Sequence, residues 1–402
     1  MAKKKSTSSY SISQLSSLID NLGEESKIMI ENEEHNGTID TSVYILNALL
    51  SKSIFGGVAD DRITIFAGDP NTGKSYIMYN IARNAQKSGY YIIFIDTEHS
   101  INKNTLSDFG IKTDKESLKL ITSNKVEDLK IFLTKFLDEL KTQKVNGIEV
   151  PKIMILLDSI GQLASEKEKQ DALEGKNKVD MTRAKSIKQF FRIINSDMGY
   201  LGIPLIASNH VYEDTNSFFP TKIMSGGKGV EYSASTIIFL STAKLKTGRE
   251  DDMDLNSTGS IITAQAKKNR MAKPKKIKFE IDHTYGTNRY KGLEYFCTIE
   301  NFDKVGIAIG KKVIKENGEI GIESSGKKWY VKHLDKTLFE KQLYNNKVFT
   351  QEVLEALDPI IYKYFDYSSF EEEQSYINDI DNVDDNINID PDFDDIDNDD
   401  LF

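Results

Sequence analysis

The sequence predicts an α/β fold: a mostly parallel central sheet flanked by helices, followed by a small C-terminal subdomain and a disordered acidic tail. Three observations lead there. From Asp61 onward, short runs of Ile, Leu and Phe alternate with amphipathic stretches, the pattern of parallel strands buried on both faces. After about residue 300 the alternation weakens into short strands and helix-like stretches. Between Asp366 and Phe402 there are 15 acids and no Lys or Arg, so like charges repel and little apolar surface is available to bury.

Residues 1–45 are rich in Ser, Asn and Glu with apolar bursts such as KIMI, and read as an N-terminal arm, a segment for contact between subunits. The core spans 46–300. In order, RITIFAG is a strand, SYIMYNIARNAQKS a helix, YYIIFID a strand and VEDLKIFLTKFLDELK a long helix. KIMILLD (152–158) is a strand, TRAKSIKQFFRIIN a helix, and PLIASNH (204–210) and STIIFLS (235–241) are strands. Two stretches read as loops, the polar SEKEKQDALEGKNKVD before the third helix and VYEDTNSFFPTKIMSGGKG at 211–229. Residues 301–365 form the small subdomain, with TLFEKQLYNN and FTQEVLEALDPIIYKYF helix-like, and 366–402 the tail.

Composition narrows the class. The chain has 402 residues, 39% apolar and 28% charged, and no apolar run reaches the roughly 18–20 residues that span a bilayer. The basic N-terminus MAKKKSTSS is followed by no apolar segment of signal-peptide type, and the single Cys297 reads as a packing residue. A soluble cytoplasmic protein is expected. The whole chain carries 52 basic and 62 acidic groups; without the tail, 52 basic groups face 47 acids. The tail therefore reads either as a solubilising segment or as a tethered polyanion that competes with nucleic acid for a basic surface.

Between the first strand and first helix lies GDPNTGKS, with Gly68, Asp69, Pro70, Asn71, Thr72, Gly73, Lys74 and Ser75 matching G-x-x-x-x-G-K-S. The glycines let the backbone curl so that N–H groups and a helix N-terminus face phosphates. Lys74 then reaches the β- and γ-phosphates, and the Ser75 hydroxyl ligates Mg²⁺. Asp158, closing an apolar strand, is expected to serve the Mg²⁺ through water, or else to cap a helix. Glu98 follows YYIIFID and is placed to orient or deprotonate an attacking water, whereas Asp96 and His99 also read as satisfying loop backbone groups. Asn209 and His210 form a polar strand end that can sense a γ-phosphate; His210 reads equally as a turn histidine.

Lys185, Lys188 and Arg192 fall at i, i+3 and i+7, on one helical face. In the 211–229 loop, Lys222 and Lys228 supply charge, Gly226 and Gly227 permit close backbone approach to phosphate, and Phe218 and Phe219 offer stacking. Seven basic residues from Lys267 to Lys278 suit either nucleic acid or a neighbouring subunit, where Lys268 and Arg270 would reach another copy's ATP.

Taken together, GDPNTGKS, FIDTEHS, ILLDSIGQLASEKEKQDAL, DMTRAKSIKQFFRI, SNHVYED and IMSGGKGVEYSA resemble the RecA-type strand-exchange recombinases, most closely the UvsX recombinases of tailed bacteriophages. The resemblance covers roughly residues 40–300. It implies an ATP- and Mg²⁺-dependent enzyme that forms helical homo-oligomers on single-stranded DNA, with ATP at subunit interfaces, and pairs them with duplex DNA. Glu98 is then the catalytic glutamate, His210 the γ-phosphate sensor, Lys268 and Arg270 the groups crossing the interface, and 160–180 and 211–229 the two DNA loops. It implies a single-strand-binding protein and a mediator as partners, no membrane, and a bacterial host's cytoplasm. RecA carries Gln at the sensor position; Asn-His follows the phage variant. A polymerisation strand at Lys27–Glu31 is expected on the same basis. A RecA-fold hexameric helicase and a non-catalytic ATP-gated scaffold are the alternatives: about 40 polar N-terminal residues leave little room for a helicase's partner domain, and a scaffold has no need of Glu98.

Overall fold

The computed structural model describes residues 37–175, 182–214, 221–246, 257–315, 318–324 and 326–367. At the N-terminal margin, β1 (Thr38–Ile39) pairs antiparallel with β2 (Val58–Ala59) around helix α1 (Tyr44–Ser51). The main sheet takes β3 (Ile63–Gly68), β4 (Tyr91–Asp96), β5 (Leu118–Thr122), β6 (Ile153–Asp158) and β7 (Leu205–Asn209). After a hairpin of β8 (Val211–Asp214) and β9 (Thr221–Met224), it adds β10 (Thr236–Lys246), β11 (Ser257–Asn269), β12 (Lys276–Asp282) and β13 (Gly286–Thr287). The sheet order is β13-β12-β11-β10-β3-β7-β6-β4-β5. From β10 to β5 all neighbours are parallel; β11, β12 and β13 extend the sheet antiparallel.

The apolar runs become strands because both of their faces are covered. Phe66, Ile92, Phe94, Met154, Leu156 and Ile206 enter one core with α1 and helix α2 (Lys74–Lys87). Their neighbours Ile65, Ile93, Ile95, Ile155, Leu157 and Leu205 enter the other. That second core is closed by α3 (Val126–Val145), through Leu129, Leu133 and Leu137, and by the helix Thr182–Leu201, through Ile187, Phe190, Phe191 and Ile194. A period of two therefore divides β3, β4, β6 and β7 between two apolar layers, leaving these central strands no solvated face.

Two expected loops have regular structure. Residues 166–173 form helix α4 (Glu166–Leu173), opened by a capping box in which Ser165 accepts from the Glu168 N–H and the Glu168 carboxylate accepts from the Ser165 N–H. Helix α5 is the Thr182–Leu201 element. Both ends of the 211–229 stretch pair as the β8–β9 hairpin, with Val211 opposite Met224, and helix α6 (Lys228–Ser233) follows. The basic run Lys267–Lys278 lies on β11, β12 and their turn. Phe218, Phe219, the Lys27–Glu31 segment and residues 368–402 lie outside the described residues.

Beyond residue 300, β14 (Ile307–Ile309), β17 (Lys328–Val331) and β18 (Lys336–Phe339) form a small antiparallel sheet beside the hairpin of β15 (Lys311–Ile314) and β16 (Ile320–Glu323). Helix α7 (Gln351–Phe365) joins this part to the first core: Leu354, Leu357, Ile361 and Phe365 are buried there, and Asp358 accepts from the Ile54 N–H at 2.7 Å. Among the described residues no helix is long and apolar enough to cross a membrane.

Candidate active site and nucleic-acid interface

The loop between β3 and α2 is shaped by backbone demands. Asn71 and Gly73 adopt positive φ (+61° and +85°), and a Cβ on Gly68 would lie 2.5 Å from the Leu240 carbonyl oxygen. Thr72 Oγ1 donates to the Asp69 carbonyl at 2.8 Å and pins the turn. Lys74 is buried, and its ammonium donates to the carbonyls of Gly68 (3.0 Å) and Asp69 (2.8 Å), arching over the concave side of the loop. Burial pulls its pKa below the usual lysine range, with Asp158, Glu98 and Asp69 opposing the shift.

Ser75 Oγ, on the first turn of α2, donates to Asp158 Oδ2 at 2.7 Å, so the loop and the end of β6 share one carboxylate. Ser208, inside β7, donates to the other oxygen of Asp158. Burial raises the Asp158 pKa, and the two serine hydrogen bonds pull against it. A hydroxyl beside a carboxylate at the mouth of a phosphate loop suits Mg²⁺, which takes few protein ligands and fills the rest with water and phosphate oxygens. Among the described residues no group of three or more His, Cys, Asp or Glu could hold a metal ion. The Ser75 hydroxyl and the Asp158 carboxylate, 2.7 Å apart, have the donor chemistry that would suit such an ion.

β4 and β6 end level, Asp96 opposite Asp158. Asp96 is buried and accepts from the backbone N–H groups of Glu98 (3.0 Å) and Ile101 (2.9 Å), so it shapes the turn that presents Glu98. His99 sits exposed in that turn at φ +53°. Glu98 Oε1 accepts from Ser159 Oγ at 2.8 Å and lies 3.0 Å from His210 Nε2. A carboxylate oxygen only accepts, so Nε2 carries the proton.

Sequence reasoning paired Asn209 with His210 as sensors; the structure separates them. Asn209 is fully buried, donating to the Ser225 carbonyl at 2.8 Å and accepting from the His210 N–H at 2.9 Å, and so clamps the base of the β8–β9 hairpin. His210 alone faces Glu98. Arg183, at the start of α5, was not singled out from sequence; its guanidinium donates to the carbonyls of Leu163 and Gly161 and to Ser225 Oγ. One side chain thus ties the base of the α4 segment to the base of the hairpin. The signal missed was an Arg two residues before the lysine row.

Lys185, Lys188 and Arg192 are exposed on α5, and the stem of Lys188 lies against Gly229 beside the hairpin base. Lys228 is exposed there too. Gly226 and Gly227 are at φ +90° and +76°, and a Cβ on Gly226 would lie 3.1 Å from Val230, so packing and turn geometry already require glycine at the first. Lys222 pairs with Asp69, joining hairpin to phosphate loop. Lys268 donates to the carbonyls of Glu231 (2.7 Å) and Tyr232 (3.3 Å) in the last turn of α6, while Arg270 is exposed. In register Lys268 faces Ile237, which faces Ile65, whereas Gly68 faces Leu240. Along the strand direction Lys268 is thus offset by three residues, about 10 Å, from the end of β3 that opens into its own phosphate loop.

A phosphate loop, a carboxylate at each of two adjacent strand ends and a hairpin rooted at the third define one connected site. The RecA N-terminal domain family matches residues 11–288. The chain belongs to the RecA family. The recombination and repair protein of Enterobacteria phage T4 is 30% identical over 325 residues, covering 79% of this chain and 78% of that protein. Protein RecA of Paenarthrobacter aurescens strain TC1 is 25% identical over 274 residues, 68% of this chain and 71% of its own. In this RecA-family chain the matched region holds the phosphate loop, Glu98, Asp158, His210 and both candidate DNA segments.

Proposed function

We propose that this protein is an ATP-dependent DNA recombinase that assembles on single-stranded DNA and promotes homologous pairing and strand exchange. The observation that carries the reading is the continuous chain of contacts from Ser75 through Asp158 at the phosphate loop, and from Glu98 through His210 into the hairpin that leads to exposed basic residues. The T4 relative is named for recombination and repair, which favours recombination over a helicase among RecA-fold ATPases.

In this reading the curled loop, its Lys74 and the α2 N-terminus bind the phosphates of ATP. Ser75 and Asp158 hold Mg²⁺, which neutralises phosphate charge when bound. Glu98 takes the proton of the attacking water. His210 exchanges Glu98 for the γ-phosphate, moving the hairpin with it. Lys185, Lys188, Arg192 and Lys228 contact DNA phosphates, and Lys222 does so on leaving Asp69. Lys268 and Arg270, remote from their own loop, act on the nucleotide of a neighbouring copy, and single-strand-binding and mediator proteins assist loading. Glu98→Gln tests the assignment. It is expected to retain ATP and DNA binding and to lower turnover at least about a hundredfold, the scale of a lost general base. Unchanged turnover would remove Glu98 from the mechanism.

A further inference from the structure

The contacts around Glu98 are unequal in kind. His210 is partly exposed and begins the hairpin, whereas Ser159 is fully buried between strand ends. Thr97 N–H donates to the Asp158 carbonyl at 2.8 Å, Ser159 N–H donates to Thr97 Oγ1 at 2.7 Å, and Thr97 Oγ1 donates back to the Ser159 carbonyl at 2.8 Å. Three hydrogen bonds thus zip the ends of β4 and β6 together. The Ser159 hydroxyl has one proton to give, and it gives it to Glu98 Oε1. Among the described residues Glu98 Oε2 is bonded to no protein group.

We propose that Ser159, fixed by Thr97, is the positioning residue that keeps Glu98 aimed, and that His210 is the partner that can leave. Resting on the reading of Glu98 as the catalytic base, this divides the two donors by mobility. If His210 alone oriented the carboxylate, moving toward a phosphate would release the base when it is needed. The Ser159 bond removes that conflict: Oε1 stays anchored while Oε2 remains open to water. A carboxylate rotated by about an ångström loses roughly a hundredfold in rate without losing substrate, because orientation is what it contributes.

The test is steady-state ATP hydrolysis with saturating single-stranded DNA for the full chain, Ser159→Ala, Ser159→Cys, Glu98→Gln and the Ser159→Ala/Glu98→Gln double variant, with nucleotide affinity and melting temperature measured alongside. Ser159→Ala is expected to lower kcat about ten- to a hundredfold with the KM for ATP within about twofold. Ser159→Cys, a near-isostere with a weak donor, should fall between. The double variant should be no slower than Glu98→Gln alone. Wild-type turnover in Ser159→Ala, with Glu98→Gln impaired, would overturn the positioning role and leave the function standing. Equal losses of nucleotide affinity and melting temperature in both serine variants would overturn it in favour of a structural seam. Unimpaired turnover in Glu98→Gln would remove both the catalytic reading and the inference built on it.

Discussion

Asp158 keeps a carboxylate where water is nearly excluded, and its protonation should be visible in stability. Burial, joined by the nearby Glu98 charge, raises its pKa in the folded state against the opposing pull of the Ser208 and Ser75 hydroxyls and of Lys74. The folded carboxyl therefore holds its proton more tightly than the unfolded one. Its contribution favours folding below the unfolded aspartate range, about pH 3.9, and is lost as pH rises through the higher folded value. Asp158→Asn should melt a few degrees higher than the parent at pH 7, with the gap closing as pH falls towards 4; a calorimetric pH series on both proteins checks the slope. Lys74 was legible from a motif whose spacing encodes a backbone shape. Ser159, Ser208 and Arg183 were not, because their roles arise only when strands distant in sequence end side by side.

At the scale of elements, α4 and the hairpin depend on local devices that are open to substitution. Ser165→Ala removes half of the capping box and should cost about 1 kcal/mol, seen as faster hydrogen exchange confined to residues 166–173. Gly161 leaves room for the His210 ring: a Cβ there would stand 2.4 Å from His210 Cδ2. Gly161→Ala should displace the imidazole from Glu98 and reduce the stimulation of ATP hydrolysis by DNA several-fold while leaving nucleotide affinity near that of the parent. Equal stimulation in the variant would show that the ring position carries no signal. Strands β3, β4, β6, β7 and β10 were legible because parallel strands covered on both faces must be apolar throughout. In sequence the hairpin looks like a loop because its residues alternate weakly, and α4 does because it buries no residue and shows no apolar stripe. The Ser165-x-x-Glu168 spacing was the signal available for the helix.

For the whole molecule, charge is partitioned between a body with 52 basic and 47 acidic groups and a tail with 15 acids. Removing residues 366–402 should tighten binding to single-stranded DNA, most strongly at low salt, where the screening length is longest. Affinity unchanged at every salt concentration would leave solubility as the tail's role. The broad architecture was readable from alternation and composition alone; the antiparallel extension β11–β13 was not, because its lysines masked the apolar alternation Ile277, Phe279, Ile281 beneath a basic run. The central claim is that the phosphate loop and the DNA-facing segments form one device. Its most direct test is the rate of ATP hydrolysis at fixed salt without DNA, with duplex DNA and with single-stranded DNA. The account predicts strong stimulation by single strands; a rate indifferent to DNA would contradict it.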